Sequence, residues 1–184
     1  SKEIDGEVNV TTRPRQPGSS IKPLVYAAAF EKGYSPASVI ADVETEFPGG
    51  GDKIYAPKNY DGKEHGLLHL RDALGSSINI PAVKLVALVG VENVLKQAYK
   101  MGLTTLEPTK DNLSRLGLSM ALGGGEIKLM ELVSAYGSFA NGGTKVTPVA
   151  ILKIEDSSGK VLFEHKQIKQ EKVISEKVAF LINS

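Results

Sequence analysis

The stretch Arg15-Gln16-Pro17-Gly18-Ser19-Ser20-Ile21-Lys22-Pro23, running on into Leu24-Val25-Tyr26-Ala27-Ala28-Ala29-Phe30, decides how this chain is read. Pro23 suits the first turn of a helix, where its missing N–H would have no partner anyway and its fixed φ favours initiation. The residues after it are apolar on nearly every face, the pattern of a buried helix, and Gly33 ends the run. A helix is therefore predicted from about Gly18 or Ser19, with its polar first turn emerging from the core. On that turn Ser19 and Lys22, three apart, share a face, whereas Ser20 and Lys22, two apart, point in different directions.

A serine hydroxyl is too weakly acidic to attack a carbonyl at neutral pH unless a neighbour accepts its proton. Lys22 can do so only as a neutral amine. Burial and the partial positive charge of a helix N-terminus both favour that form. Ser19 is thus the candidate nucleophile and Lys22 its base. The spacing alone is common, and Ser157-Ser158-Gly159-Lys160 repeats it. That second copy follows Glu155-Asp156 between alternating apolar runs and reads as a hairpin turn.

Composition narrows the class. With 184 residues and 41% hydrophobic content, the chain suffices for one domain with a real core. Its 22 basic and 21 acidic residues leave a net charge of +1, so no electrostatic case exists for nucleic acid or an anionic membrane surface. The absence of cysteine excludes disulfides, thiolate metal sites and a cysteine nucleophile. No segment approaches the roughly 20 apolar residues of a membrane span, and Ser1-Lys2-Glu3-Ile4-Asp5 is no signal peptide. The chain is expected to be soluble, or to have its targeting segment outside this sequence.

Downstream, residues 34–66 read as irregular, with loops at 47–52 and 56–62. A short helix is predicted over 67–74 and a break at Gly75-Ser76-Ser77. A helix opened by Pro81 then runs to Gly90, which leaves Ser77, Ile78 and Asn79 on the connection. Further helices are predicted over 91–101, 126–140 and from 176 onward with Ser175 as cap, and a hairpin over 149–165. Tyr60, Tyr136 and Phe139 read as packing residues. His65 and His69, four apart, are a weak metal candidate without an obvious third ligand. The glycines at 123–125 lack the strand, lysine and hydroxyl of a phosphate loop, so neither a metal nor a nucleotide cofactor is expected.

Ser77-Ile78-Asn79 is the chain's one Ser-x-Asn. On local grounds it is a helix cap, since Ser and Asn both satisfy orphan N–H groups. Yet Ser-x-x-Lys followed by Ser-x-Asn is the order of the first two motifs of the penicillin-recognising serine acyltransferases. The resemblance extends further. Residues 15–23, Pro57-Lys58-Asn59-Tyr60-Asp61-Gly62, Leu70-Arg71-Asp72-Ala73-Leu74-Gly75 through Val83, Ser119-Met120-Ala121-Leu122-Gly123 and Ala135-Tyr136-Gly137 through Gly143 all resemble the transpeptidase domain of class A, bifunctional penicillin-binding proteins. The family's third motif, Lys-Thr/Ser-Gly, has no match; neither Lys145-Val146-Thr147 nor Ser158-Gly159-Lys160 fits it.

The resemblance implies an α+β fold of the penicillin-binding protein and serine β-lactamase type. Residues 1–184 would be a partial transpeptidase domain holding mainly its helical part and a β-hairpin, with most of the central sheet, the glycosyltransferase domain and the membrane anchor absent. It implies a D,D-transpeptidase acting on peptidoglycan stem peptides at the outer face of the bacterial membrane and acylated by β-lactam antibiotics. In that reading Ser19 attacks, Lys22 accepts the proton, Ser77 relays a proton to the leaving amine, and Asn79 orients the peptide and supports Lys22. Without the third motif's strand, which in the family supplies an oxyanion donor, residues 1–184 alone are expected to be largely inactive. The alternatives are a D,D-carboxypeptidase or β-lactamase, though no Glu-x-x-x-Asn element is present, and a non-catalytic scaffold. Apolar faces left uncovered would favour self-association.

Overall fold

The computed structural model describes residues 8–49, 53–166 and 170–184. At its centre lies α1 (Lys22–Glu31), entered through a 3-10 turn at Gly18–Ile21 with Pro23 in the first helical turn. Leu24 through Phe30 are all buried, as an all-round apolar helix requires. The small side chains of Ala27, Ala28 and Ala29 let other elements approach closely. Around α1 pack α3 (Asn79–Val89), α4 (Val91–Lys100) and α7 (Glu176–Asn183). The remaining helices are α2 (Leu70–Gly75), α5 (Lys110–Leu116) and α6 (Leu129–Ala140).

Among the described residues the sheets are three antiparallel pairs. β1 (Val39–Asp42) pairs with β4 (Gly66–His69), β2 (Phe47–Pro48) with β3 (Ile54–Tyr55), and β5 (Lys153–Glu155) with β6 (Val161–Glu164). The helix predicted over 67–74 is thus divided. Residues 67–69 belong to β4, where Leu68 lies opposite Ile40, and only from Leu70 does the chain turn helical. Leu67 and Leu68 looked helical because two adjacent leucines carry no period; pairing with β1, a strand the sequence did not announce, decides the matter. The helix predicted over 126–140 likewise starts later, at Leu129, because Ile127 exchanges both backbone hydrogen bonds with Arg15 at 2.9 Å. α5 was not foreseen.

The helices predicted over 91–101 and from 176 onward agree with α4 and α7, the one predicted from Pro81 to Gly90 starts two residues earlier as α3, and Ser175 Oγ accepts the Val178 N–H at 3.2 Å as a cap. The hairpin also stands. Asp156 Oδ1 accepts from the backbone N–H groups of Ser158 and Lys160 and from Ser158 Oγ, so the second Ser-x-x-Lys is a turn held by its own aspartate. No helix among the described residues is long and apolar enough to cross a membrane.

Candidate active site

The 3-10 turn at Gly18–Ile21 places Ser19 exposed at the surface and Lys22 inside, 1% exposed. The turn separates the two adjacent serines. Ser20 Oγ donates to the Pro17 carbonyl at 2.6 Å, a local bond that closes the turn, while no hydrogen bond involves the Ser19 hydroxyl among the described residues. The turn is held from outside by two contacts the sequence reading missed. Gly123, at φ +88°, lies so close to Gly18 that a Cβ there would stand 2.3 Å from the Gly18 nitrogen. Tyr136 Oη donates to the Ser20 carbonyl at 2.8 Å. Tyr136 also packs edge-on against buried Phe139, with ring centroids 5.9 Å apart. The packing role read for that pair therefore holds, whereas Tyr60 is fully exposed.

Lys22 Nζ contacts three acceptors, the Ser77 carbonyl at 2.5 Å, Asn79 Oδ1 at 2.8 Å and Ser77 Oγ at 3.2 Å. Burial lowers its pKa from 10.5 to about 8. The hydrogen-bond geometry assigns the proton. The carbonyl and the amide oxygen can only accept, so each holds one N–H, and the remaining direction faces hydroxyl oxygen, which can accept or donate. On deprotonation the lone pair of the neutral amine falls in that third direction. A neutral amine held in this way can accept a proton from the Ser77 hydroxyl.

Ser77 reaches the amine through an unusual backbone. Its φ of +54° is the one positive value at a non-glycine position among the described residues. The Ser77 N–H bonds the Leu74 carbonyl and the Ile78 N–H the Ala73 carbonyl, both at 2.9 Å, which makes a Schellman motif ending α2. Ser77 occupies the position where glycine is normal, at a cost of about 1 kcal/mol or more. In exchange the motif turns both the carbonyl and the hydroxyl of one residue onto Lys22. Asn79, read as lying on the connection, is the first residue of α3. Its Nδ2 donates to the Lys58 carbonyl at 2.9 Å, which fixes the amide with Oδ1 towards Lys22.

The four residues singled out in the sequence thus lie on two helix starts and one helix end. Lys22 gathers Ser77 and Asn79, and Ser19 sits one turn ahead of it. His65 and His69 do not share a helix face. His65 bridges Asp42 and Asp61, at 2.6 and 3.2 Å, while His69 Nδ1 contacts the Ala37 carbonyl. A cavity of about 630 Å³ lined by Tyr99, Lys100, Met130 and Val146 shares no residue with this constellation.

Comparison with known proteins gives the same placement. Residues 5–184 match the family model for the penicillin binding protein transpeptidase domain. Penicillin-binding protein 1A of Aquifex aeolicus is 43% identical over 152 residues, 82% of this chain and 20% of that protein. The crystal structure of penicillin-binding protein 1A from Haemophilus influenzae superposes with a TM-score of 0.85 at 30% identity, covering 99% of this chain and 31% of that one. An imipenem acyl-enzyme complex of penicillin-binding protein A from M. tuberculosis, 20% identical, shares the fold at a TM-score of 0.78, over 94% of this chain and 43% of that one. The chain spans about a fifth to a quarter of the curated relatives it matches. On the family match, the identity to 1A proteins and the shared fold, this chain belongs to the penicillin-binding protein transpeptidase family, with its class A members.

Proposed function

We propose that this chain contributes the nucleophile, the base and the Ser-x-Asn motif of a serine D,D-transpeptidase that cross-links peptidoglycan stem peptides at the outer face of the bacterial membrane. The observation behind the proposal is the buried Lys22 amine, held by Ser77 and Asn79 and lying one turn from an exposed Ser19 whose hydroxyl makes no hydrogen bond among the described residues. Ser19 Oγ attacks the carbonyl carbon of the penultimate D-Ala, and its proton passes to neutral Lys22. The C–N bond to the terminal D-Ala then breaks. The departing nitrogen takes the proton from Lys22 through the Ser77 hydroxyl, leaving an ester on Ser19. An amine of a second stem peptide attacks that ester, gives up a proton along the same route and regenerates the Ser19 hydroxyl.

Orphan N–H groups at the start of the 3-10 turn suit the oxyanion of the tetrahedral intermediate. A second donor belongs to the Lys-Thr/Ser-Gly strand of the family, which residues 1–184 do not contain. Acylation is therefore expected of the complete domain, and about 10²-fold or more slower in this chain alone. A β-lactam would be attacked in the same way at its ring carbonyl. The M. tuberculosis relative described as an imipenem acyl-enzyme complex supports that reading. Labelling by a fluorescent penicillin tests it: Ser19→Ala abolishes the label, and Ser20→Ala, which loses only the turn-closing bond to Pro17, retains it. Label lost with Ser20→Ala and kept with Ser19→Ala reverses the assignment.

A further inference from the structure

Residues 57–65 lie outside the catalytic constellation yet reach it twice. The Lys58 carbonyl orients the Asn79 amide, and Asn59 Oδ1 accepts from the backbone N–H groups of Asn79 and Ile80 at 3.0 and 3.1 Å. Those are the first orphan donors of α3, whose own N-cap residue, Ile78, has no side-chain acceptor. The cap is delivered from another part of the chain. Asn59 is 6% exposed, and its Nδ2 donates to both oxygens of Asp42, at 2.9 and 2.8 Å, and to the Lys63 carbonyl at 2.7 Å. Because all of these partners are acceptors, the amide has one orientation, with Oδ1 facing α3.

Asp42 is fully buried, and its carboxylate is further met by the His65 N–H at 2.9 Å and His65 Nδ1 at 2.6 Å. A helix start needs only a serine or aspartate at its own N-cap for stability. A buried carboxylate held by an amide and an imidazole is a costly substitute. What it adds is direction. The chain of contacts runs from His65 through Asp42 and Asn59 to Asn79 and ends on Lys22.

We propose that Asn59, anchored by Asp42, is a positioning residue for acylation, fixing the first turn of α3 so that Asn79 Oδ1 meets the Lys22 amine. This rests on the acyl-transfer reading for its consequence, but its geometry can be tested apart from it. The variants are Asn59→Ala, Asn59→Asp, and the double exchange Asp42→Asn with Asn59→Asp, which restores a donor–acceptor pair with reversed polarity and keeps an acceptor for α3. The readouts are the titration midpoint of Lys22, followed by NMR of ¹³C-labelled lysine in this chain, and the rate of acylation by a fluorescent penicillin in the complete domain.

Each single variant is expected to shift the Lys22 midpoint away from about 8 by about half a unit or more, downward in Asn59→Ala because the ammonium loses the Asn79 acceptor, and to slow acylation about tenfold. The double exchange returns both towards the unmutated values. Single variants that melt earlier yet leave the midpoint and the rate within about twofold of the original overturn the proposal, since a mere cap predicts that pattern. Should the single variants not fold, the double exchange decides. A midpoint near 8 supports the proposal, and a folded protein whose Lys22 midpoint stays shifted from 8 by about half a unit or more overturns it. Failure of the unmutated complete domain to react with penicillin would count against acyl transfer alone, because the Lys22 midpoint does not depend on it.

Discussion

At the scale of single residues the chemistry turns on a lysine placed where lysines are rarely found. Among the described residues Lys22 has no carboxylate partner; its contacts are neutral oxygens, and burial favours the free amine. The sign of the resulting pH dependence follows. The folded-state pKa, about 8, lies below 10.5, so the unfolded chain binds more protons between those values and stability rises with pH across that window. Below about pH 8 the penalty of burying the ammonium is fully present. At pH 7 about a tenth of Lys22 is neutral, so acylation should climb about tenfold from pH 6 to pH 7 and level off above about 8. A stopped-flow profile with a chromogenic β-lactam checks this; a flat profile between pH 6 and 8 contradicts Lys22 as base. Ser77 makes the complementary case, in which a positive φ disfavoured for serine accompanies its contacts with Lys22. Ser77→Gly should be about 1 kcal/mol more stable than Ser77→Ala in denaturant melts, because glycine accepts a φ of +54° without strain. Both variants should lose acylation by about 10²-fold.

At the scale of elements, the turn before α1 is set by what packs on it. The Gly18–Ile21 turn and the 3-10 turn at Gly117–Leu122 lie against each other, and Gly123 is the point of nearest approach to Gly18. Gly123→Ala would force a methyl into the Gly18 backbone and a side chain into a φ of +88°. A loss of about 2 kcal/mol or more in stability, and of acylation with it, is expected from thermal melts and penicillin labelling. An unchanged melt would mean that the two turns part easily. The sequence disclosed α1 and its serine register because an unbroken apolar run and a proline at its start are local signals. It disclosed Ser77 and Asn79 as a pair only through motif order; the Schellman turn that joins them to Lys22 was hidden because it uses serine where glycine is the usual mark. Asn59, Asp42, Gly123 and Tyr136 act through partners distant in sequence, and no periodicity reports such contacts. β1 and β4 were obscured for the same reason, since a two-stranded pair of four-residue strands has too few positions to show alternation.

At the scale of the molecule, the helices enclose a continuous core around α1, while β5 and β6 stand apart from it. Every residue of both strands is exposed, including Ile154, Val161, Leu162 and Phe163, with Leu152 beside them. Such a two-stranded apolar ribbon, with no further strand on it among the described residues, tends to pair with other strands. This chain should therefore associate as its concentration rises, and Leu162→Lys with Phe163→Lys should suppress the association in sedimentation velocity; equal sedimentation of both proteins at all concentrations would refute that. The central claim concerns the covalent bond formed at the start of α1. It is tested most directly by reacting the complete domain with benzylpenicillin, digesting it and locating the adduct by mass. A single adduct on Ser19, formed in proportion to the neutral fraction of Lys22, is the predicted result. An adduct on Ser20, or on any residue outside the Gly18–Ile21 turn, would contradict the account.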